Sequence, residues 1–252
     1  MLRPIQGVVK HEQFDYNRSM DVGPLLAGPA GLIADPRRAR MLAALIDGRS
    51  RTATELAYHA GVSPQTASSH LAKLVQARLL AMEAEGRFRH YRLAGPNVGH
   101  AIEALLALAG DGERYRKGPT KGIEPIRIAR TCYDHLAGRL GVALTHMMVK
   151  RKLLKPSGRD FRLTPSGEKF LRKFGVDVEK AKHPRRAFAR QCRDWTERRP
   201  HLAGALGAAL AARWLELRWV TRVPEERYLI VTNRGRTALK GLFSIKPSDI
   251  FM

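Results

Sequence analysis

Two capped helix starts separated by one glycine constrain this chain more than any other feature. Thr52-Ala53-Thr54-Glu55 is a capping box, in which the hydroxyl reaches forward to a backbone N–H and the carboxylate reaches back. The short helix it opens carries Leu56, Ala57 and Ala60 on one side and stops at Gly61. Glycine there supplies the left-handed residue that ends a helix. Val62 then leads into Ser63-Pro64, a second N-cap with proline at the first helical position. The new helix runs over about 64–77. At helical periodicity Ala67, Leu71, Leu74 and Val75 share one sector, and Gln65, Thr66, Ser69, Lys73 and Gln76 lie opposite, with Ser68 and His70 on the flanks. Short helix, glycine turn and capped second helix make a helix-turn-helix unit. Its outer face holds hydroxyl, amide, imidazole and ammonium groups and no carboxylate, a set suited to base edges and phosphates in a major groove.

Downstream, two extended runs flank Glu85-Gly86 as a hairpin turn, and the second run carries Arg87, Arg89, His90 and Arg92 beside Phe88 and Tyr91. A cationic hairpin directly after such a helix is a wing, placed over 86–92 to grip backbone phosphates or the minor groove. The DNA-contacting set expected from these two elements is Ser63, Gln65, Thr66, Ser68, Ser69, His70 and Lys73, with Arg87, Arg89 and His90. Further helices are expected over about 25–33, over 36–46 with Asp35 as its cap, and over 96–109.

Charge points to a polyanion as partner. The 252 residues hold 45 Lys and Arg against 23 Asp and Glu, a formal +22, and residues 126–252 carry +17 of it. A field of that sign draws a nucleic acid and speeds encounter. Membrane attraction is the rival reading, but no stretch approaches the roughly 20 apolar residues of a spanning helix, and Leu202 to Leu210 is short and rich in Ala and Gly. No secretory h-region is visible at the N-terminus. Two cysteines, Cys132 and Cys192, offer no disulfide framework, which suits a cytoplasmic, nucleoid-associated protein with reduced thiols. Residues 1–19 lack periodicity and read as an arm, or as a stretch upstream of a start at Met20 rather than Met1. Residues 111–125, rich in Gly, Pro and charge, read as a linker between a 20–110 DNA-binding and dimerisation domain and a basic 126–252 domain.

The order Asp35-Pro36-Arg37-Arg38, Thr54-Glu55-Leu56-Ala57, Gly61 through Leu74 and a wing ending Tyr91-Arg92-Leu93 resembles the ArsR/SmtB family of winged-helix repressors over roughly residues 20–110. Ser69, His70 and Leu71, followed by Lys73 and Leu74, are the most specific part of that likeness. The resemblance implies a homodimer whose recognition helices enter successive major grooves of an inverted repeat, released by a ligand or thiol event. Two departures stand out. The helix end that usually reads Ala-Gly-Leu is Ala77-Arg78-Leu79, and the short helix Glu55–Ala60 lacks the cysteines of many metal-sensing members. His100 and Glu103 echo the family's other zinc site, but two ligands on one helix are not a tetrahedral site.

The second half repeats itself. Cys132 and Asp134 match Cys192 and Asp194; Leu136 and Gly138 match Leu202 and Gly204 after a six-residue insertion; Phe161 to Gly167 parallels Leu229 to Gly235. Each copy is expected to be two helices, a hairpin and a final helix, giving two degenerate winged-helix-like repeats at about 126–182 and 186–245. The whole chain is thus expected to be mainly α with small β-hairpins (α+β). Cys132, His135 and Cys192 are the sensor candidates, with three readings: metal binding by both thiolates plus His135 or His201, a redox switch beside Arg130, Arg190 and Arg193, or plain packing, which is favoured because free cysteine is commonly buried. No cofactor is assigned on this reading, and a metal at Cys132 and Cys192 stands as the alternative. Trp195, Trp214, Trp219, Phe170, Phe174 and Tyr228 could line an effector pocket, though core packing is their commoner use. No phosphate-cradling loop or nucleophile elbow is present, so no enzyme is expected. The expected function is a sequence-specific, dimeric DNA-binding regulator, a repressor; a non-specific nucleoid protein and an effector-sensing regulator are the alternatives.

Overall fold

The computed structural model describes residues 22–86, 88–110, 124–182, 186–224 and 226–251. The expected N-terminal arm and almost all of the linker lie outside the described residues, as does Arg87.

The first half is a winged helix-turn-helix. Helices α1 (Gly23–Ile33) and α2 (Pro36–Ala44) precede a short strand β1 (Arg51–Thr52) and the helix pair α3 (Ala53–Ala60) and α4 (Pro64–Gln76). Strands β2 (Leu80–Glu85) and β3 (Phe88–Leu93) form the wing, ordered β1-β3-β2, and α5 (Pro96–Gly110) closes the unit. The caps behave as their chemistry dictates. Asp35 accepts from the Arg37 and Arg38 amides; Thr52 and Glu55 complete the capping box; Gly61 ends α3 at φ +66°; Ser63 accepts from the Thr66 amide. Glu85 pairs with Phe88, so Glu85 belongs to the ladder and not to the turn expected at Glu85-Gly86. Gly86 takes φ +57° there, as a tight hairpin requires. Met41, Leu42, Leu45, Ile46, Leu56, Leu71, Leu74 and Leu93 make the core.

The second half differs from expectation at one point in each repeat. Repeat one runs α6 (Glu124–Ile128), β4 (Arg130–Cys132), β5 (His135–Ala137), α7 (Gly138–Lys150), β6 (Leu154–Ser157), β7 (Asp160–Leu163) and α8 (Pro165–Phe174), followed by a short α9 (Val178–Ala181). Repeat two runs β8 (Arg190–Arg193), β9 (Pro200–Ala203), α10 (Gly204–Glu216), β10 (Val220–Arg222), β11 (Leu229–Val231) and α11 (Asn233–Gly241), before a final turn α12 (Ser248–Phe251). Where two helices were expected first, each repeat places a hairpin directly before a single long helix, in repeat one after the short α6. Cys132 and His135 therefore do not sit three apart on a helix. They are cross-strand partners in β4–β5, as Cys192 and His201 are in β8–β9.

Three units share one plan of helix, left-handed residue, hairpin and helix. After α4, α7 and α10 come Arg78, Lys152 and Arg218, at φ +57°, +58° and +52°. The next amide returns to the helix in each case: Leu79 to Leu74 O, Leu153 to Met148 O, Trp219 to Trp214 O. The residue entering the last helix then donates to the start of the hairpin: Ala94 to Leu79 O, Thr164 to Leu153 O, Thr232 to Trp219 O. The winged-helix character of the repeats rests on this recurrence. The two repeats share one core, with Leu140, Leu144, Met148, Leu171, Leu206, Leu210, Trp214 and Phe243 buried together. Trp214, Trp219, Phe170, Phe174 and Phe243 stack inside it, so these aromatics are core and not pocket lining.

The two halves meet through hydrogen bonds and buried ions. The Tyr133 amide donates to Ile46 O at 2.7 Å, and Arg49 donates to Glu226 O at 2.7 Å. Gly48, at φ +77°, lies where a Cβ would come within 2.6 Å of Tyr133 O. Glu103 of α5 is buried between Arg227 at 2.9 Å and Arg130 at 3.8 Å. Among the described residues no helix is long and apolar enough to cross a membrane.

Candidate nucleic-acid interface

The α4 helix buries Ala67, Leu71 and Leu74 and turns its other side outward. Gln65, Thr66, Ser68, Ser69, Lys73 and Gln76 are exposed, and His70 is half-buried at the edge. This division follows from the periodicity alone, because the apolar residues fall on the side facing α2 and α3. Three of the hydroxyls are partly engaged by the helix itself: Ser63 with the Thr66 amide and hydroxyl, and Ser68 donating to Pro64 O at 3.0 Å. His70 Nδ1 lies 3.5 Å from an Arg38 guanidinium nitrogen, which orients the ring from α2.

On the wing, Arg89 is exposed and His90 half-buried, with its Nε2 3.7 Å from Glu85. Arg92, named in the wing but outside the expected contact set, is paired with Glu83 at 2.7 Å. The set Ser63, Gln65, Thr66, Ser68, Ser69, His70 and Lys73 is thus brought onto one side of one helix. Arg89 and His90 lie on the strand that follows, and Arg87 lies outside the described residues. Where the two halves meet, Asp47 is buried and receives both terminal Arg51 nitrogens at 3.1 Å and Arg49 Nε at 2.6 Å. Burial works to raise its carboxyl, and the two guanidiniums outweigh it, leaving the group below its ordinary range.

The sensor candidates converge elsewhere. Cys132, His135, Cys192 and His201 bring their ligand atoms within 4.8 Å of one another. His201, offered from sequence only as an alternative to His135 in the metal reading, joins the cluster beside it. The signal for it was present, since aligning Leu136 with Leu202 sets His135 against His201. Cys132, His135 and His201 are buried, while Cys192 keeps partial exposure beside a cavity of about 410 Å³ lined also by His100, Glu103 and Arg190. The Cys192 thiol lies well below its ordinary range because Cys132 hydrogen-bonds to it and His135 and His201 face the same sulfur, against the opposing effect of burial. Cys132 is pushed up by that same bond and by burial. Burial disfavours charge on His201, but Asp194 and Cys192 raise it to about 9. Glu103, the other residue of the α5 zinc fragment, is taken up by Arg130 and Arg227.

With helix-turn-helix, wing and outward polar face in place, the chain is a winged helix-turn-helix transcriptional regulator. A family model described as a helix-turn-helix domain matches residues 33–83. Over 225 residues, 89% of this chain and 100% of the relative, it is 42% identical to the uncharacterized HTH-type transcriptional regulator YdfF of Bacillus subtilis. Over 74 residues, 29% of this chain and 62% of the relative, it is 36% identical to the HTH-type transcriptional regulator CmtR of Mycobacterium tuberculosis. Among solved structures it is similar to HlyU from Vibrio cholerae, at 26% identity and a TM-score of 0.33, covering 36% of this chain and 97% of that one. The chain belongs to the ArsR/SmtB family of winged-helix regulators.

Proposed function

We propose that this protein is a cytoplasmic, nucleoid-associated repressor that binds a short inverted repeat of duplex DNA as a homodimer. The α4 helix enters the major groove and the wing lies on the adjacent backbone or minor groove. The observation that carries the reading is the outward face of α4, which is polar, free of carboxylates and left uncovered by the second half of the chain. Ser69, His70, Lys73 and Gln65 are the base-reading and phosphate-contacting candidates, and Arg89 and His90 supply the wing contacts, with Arg87 assigned to the same role from sequence.

An apolar surface supports the dimer. Leu25 and Leu26 of α1 are 65% and 73% exposed, and Leu105 and Leu108 of α5 are 44% and 68% exposed. Apolar side chains this exposed on two helices of a small domain mark an interface, and a second copy of the same surface satisfies it by two-fold symmetry. Such a dimer reads half-sites about 34–36 Å apart, one helical turn.

Selection of bound sequences from a random duplex pool tests the reading. A palindromic consensus that the Ser69→Ala/His70→Ala double variant no longer binds is the expected result. A pool that remains random, with affinity equal for any duplex, would instead favour the non-specific nucleoid alternative.

A further inference from the structure

We propose that the two repeats jointly hold one zinc-like divalent cation in a closed Cys₂His₂ site made of Cys132, His135, Cys192 and His201. The proposal is independent of how α4 meets DNA. Its basis is the spacing of four atoms. A tetrahedral ion with bonds of about 2.3 Å to sulfur and about 2.0–2.1 Å to nitrogen separates its two sulfurs by about 3.8 Å and its two nitrogens by about 3.3 Å. Here Cys132 Sγ and Cys192 Sγ are 3.8 Å apart, and His135 Nε2 and His201 Nε2 are 3.1 Å apart.

The surroundings prepare the nitrogens for that role. His135 Nδ1 is 3.2 Å from Asp134 Oδ1, and His201 Nδ1 is 3.2 Å from Asp194 Oδ2. An ionised Asp134 only accepts, so His135 Nδ1 carries the proton of that bond, while Asp194 holds the His201 ring by an ion-pair contact, and both rings turn Nε2 inward. Carboxylate-oriented imidazoles of this kind are the usual outer partners of a metal site. The two Nε2 atoms face each other at 3.1 Å beside two sulfurs, so they share a proton unless a cation takes its place. The carboxylates are themselves anchored across the repeats: Asp134 by Arg186 at 2.6 Å, Asp194 by Arg130 at 3.1 Å and the Gly138 amide at 2.7 Å.

The symmetry of the site argues against chance packing. Each repeat contributes one Cys and one His from the same cross-strand register of its hairpin. Glycines recur at matching places: a Cβ on Gly141 would come within 2.3 Å of Leu136 O and one on Gly207 within 2.4 Å of Leu202 O, and the same two glycines face the Cβ atoms of His201 and His135 at 3.5 and 3.2 Å. All four positions come from protein, so no coordination place is left for a substrate. The cavity beside Cys192 gives an entry route, and it is walled by His100 of α5, whose ring lies 5.9 Å from His135. Binding releases the proton shared by the two sulfurs and the proton held between the imidazoles to solvent, with no change of oxidation state.

The test loads the reduced, full-length protein with Zn²⁺, removes excess by gel filtration and measures metal per chain by mass spectrometry. A parallel sample receives Co²⁺. One zinc per chain, with intense visible bands of tetrahedral cobalt and a thiolate-to-cobalt charge-transfer band, is expected. Cys192→Ser and His201→Gln should retain at least roughly tenfold less metal, and Asp134→Asn should weaken zinc by about 10–100-fold in a chelator competition while leaving the circular dichroism unchanged. Asp134 is only half-buried, so that variant keeps the test open if a ligand variant fails to fold. The proposal is overturned if the reduced wild type holds no zinc, if its cobalt spectrum is octahedral, if Cys192→Ser binds like the wild type, or if the zinc-treated reduced protein carries a Cys132–Cys192 disulfide.

Discussion

The α4 helix and its two counterparts, α7 and α10, occupy the same place in three units of like plan, yet face opposite environments. Aligned on their left-handed residues Arg78, Lys152 and Arg218, the outward residues Ser69, His70 and Lys73 of α4 correspond to Ala143, Leu144 and Met147 in α7. In α10 they correspond to Ala209, Leu210 and Arg213. The N-cap differs in the same sense. Ser63 caps α4 with its side chain, whereas Ala137 and Ala203 give no side-chain bond and are followed by glycines at φ +73° and +79°. One backbone plan thus serves as a reading surface when its outer face is polar, and as the wall of a shared core when that face is apolar. The preceding element changes with it: helix α3 stands before α4, whereas hairpins carrying one Cys and one His stand before α7 and α10. Chemistry is turned outward in the first half and sealed between the repeats in the second.

The sharpest way to break this contrast is at the seal. Arg130 is fully buried against Asp194 and Glu103, and donates to Ile126 O and Thr196 as well. Arg130→Met leaves Asp194 and Glu103 buried without the guanidinium between them, and should cost about 3–5 kcal/mol, read as a lower urea midpoint. A loss under about 1 kcal/mol would mean that the carboxylate finds water and that the interior is not sealed.

Next in size is the ion group under the reading half. The Asp47 carboxyl is held low in the folded chain, so its contribution is complete above the unfolded value of about 3.9 and fades as pH falls through the folded value. Asp47→Asn should therefore cost about 3 kcal/mol near neutral pH, and the difference from wild type should shrink in acid. Urea melts at a series of pH values check the sign; a gap that widens on acidification would refute the assignment.

The reading face itself comes third. The Ser69→Ala/His70→Ala double variant should lose about 2–4 kcal/mol of operator affinity at fixed salt with little change in stability, since base contacts are worth about 1–3 kcal/mol each. Arg89→Ala should weaken all duplexes alike and reduce the salt slope by about one. The equivalent apolar positions in α7 and α10 should behave the other way. Leu144→Ala should cost about 2–4 kcal/mol in stability and leave the salt slope of DNA binding unchanged, which a titration at several salt concentrations would show.

These contrasts trace how much the sequence disclosed. The capping box, Gly61 and the Ser63-Pro64 start act within a few residues, so their geometry can be read from them directly, and α3, α4 and the wing stand where those signals place them. The repeats were visible through identities such as Cys132 with Cys192. Their opening hairpins were not, because strands of three or four residues hold too little periodicity to distinguish a period of two from 3.6. The six residues inserted between Asp194 and His201 disguise the equivalence of the two histidines, because in the first repeat Asp134 and His135 are adjacent, so His135 and His201 read as alternatives where the fold brings both together. What depends on the pairing of distant strands could be placed only in three dimensions.

The smallest effect tests whether the three units are truly alike. Arg78, Lys152 and Arg218 all hold a conformation that costs a residue with a Cβ about 1–2 kcal/mol. Glycine there removes that strain but gains freedom in the unfolded chain, worth roughly 0.5–1 kcal/mol in the opposite direction. Each Gly substitution should therefore stabilise by about 0.5 kcal/mol. At Arg78 it also restores the Ala-Gly-Leu order usual in the family. Near-equal gains at the three sites, measured as thermal midpoints, follow if the turn alone sets the energy. A gain at Arg78 with losses at Lys152 and Arg218 would show that the repeats use those side chains for something the shared turn does not explain.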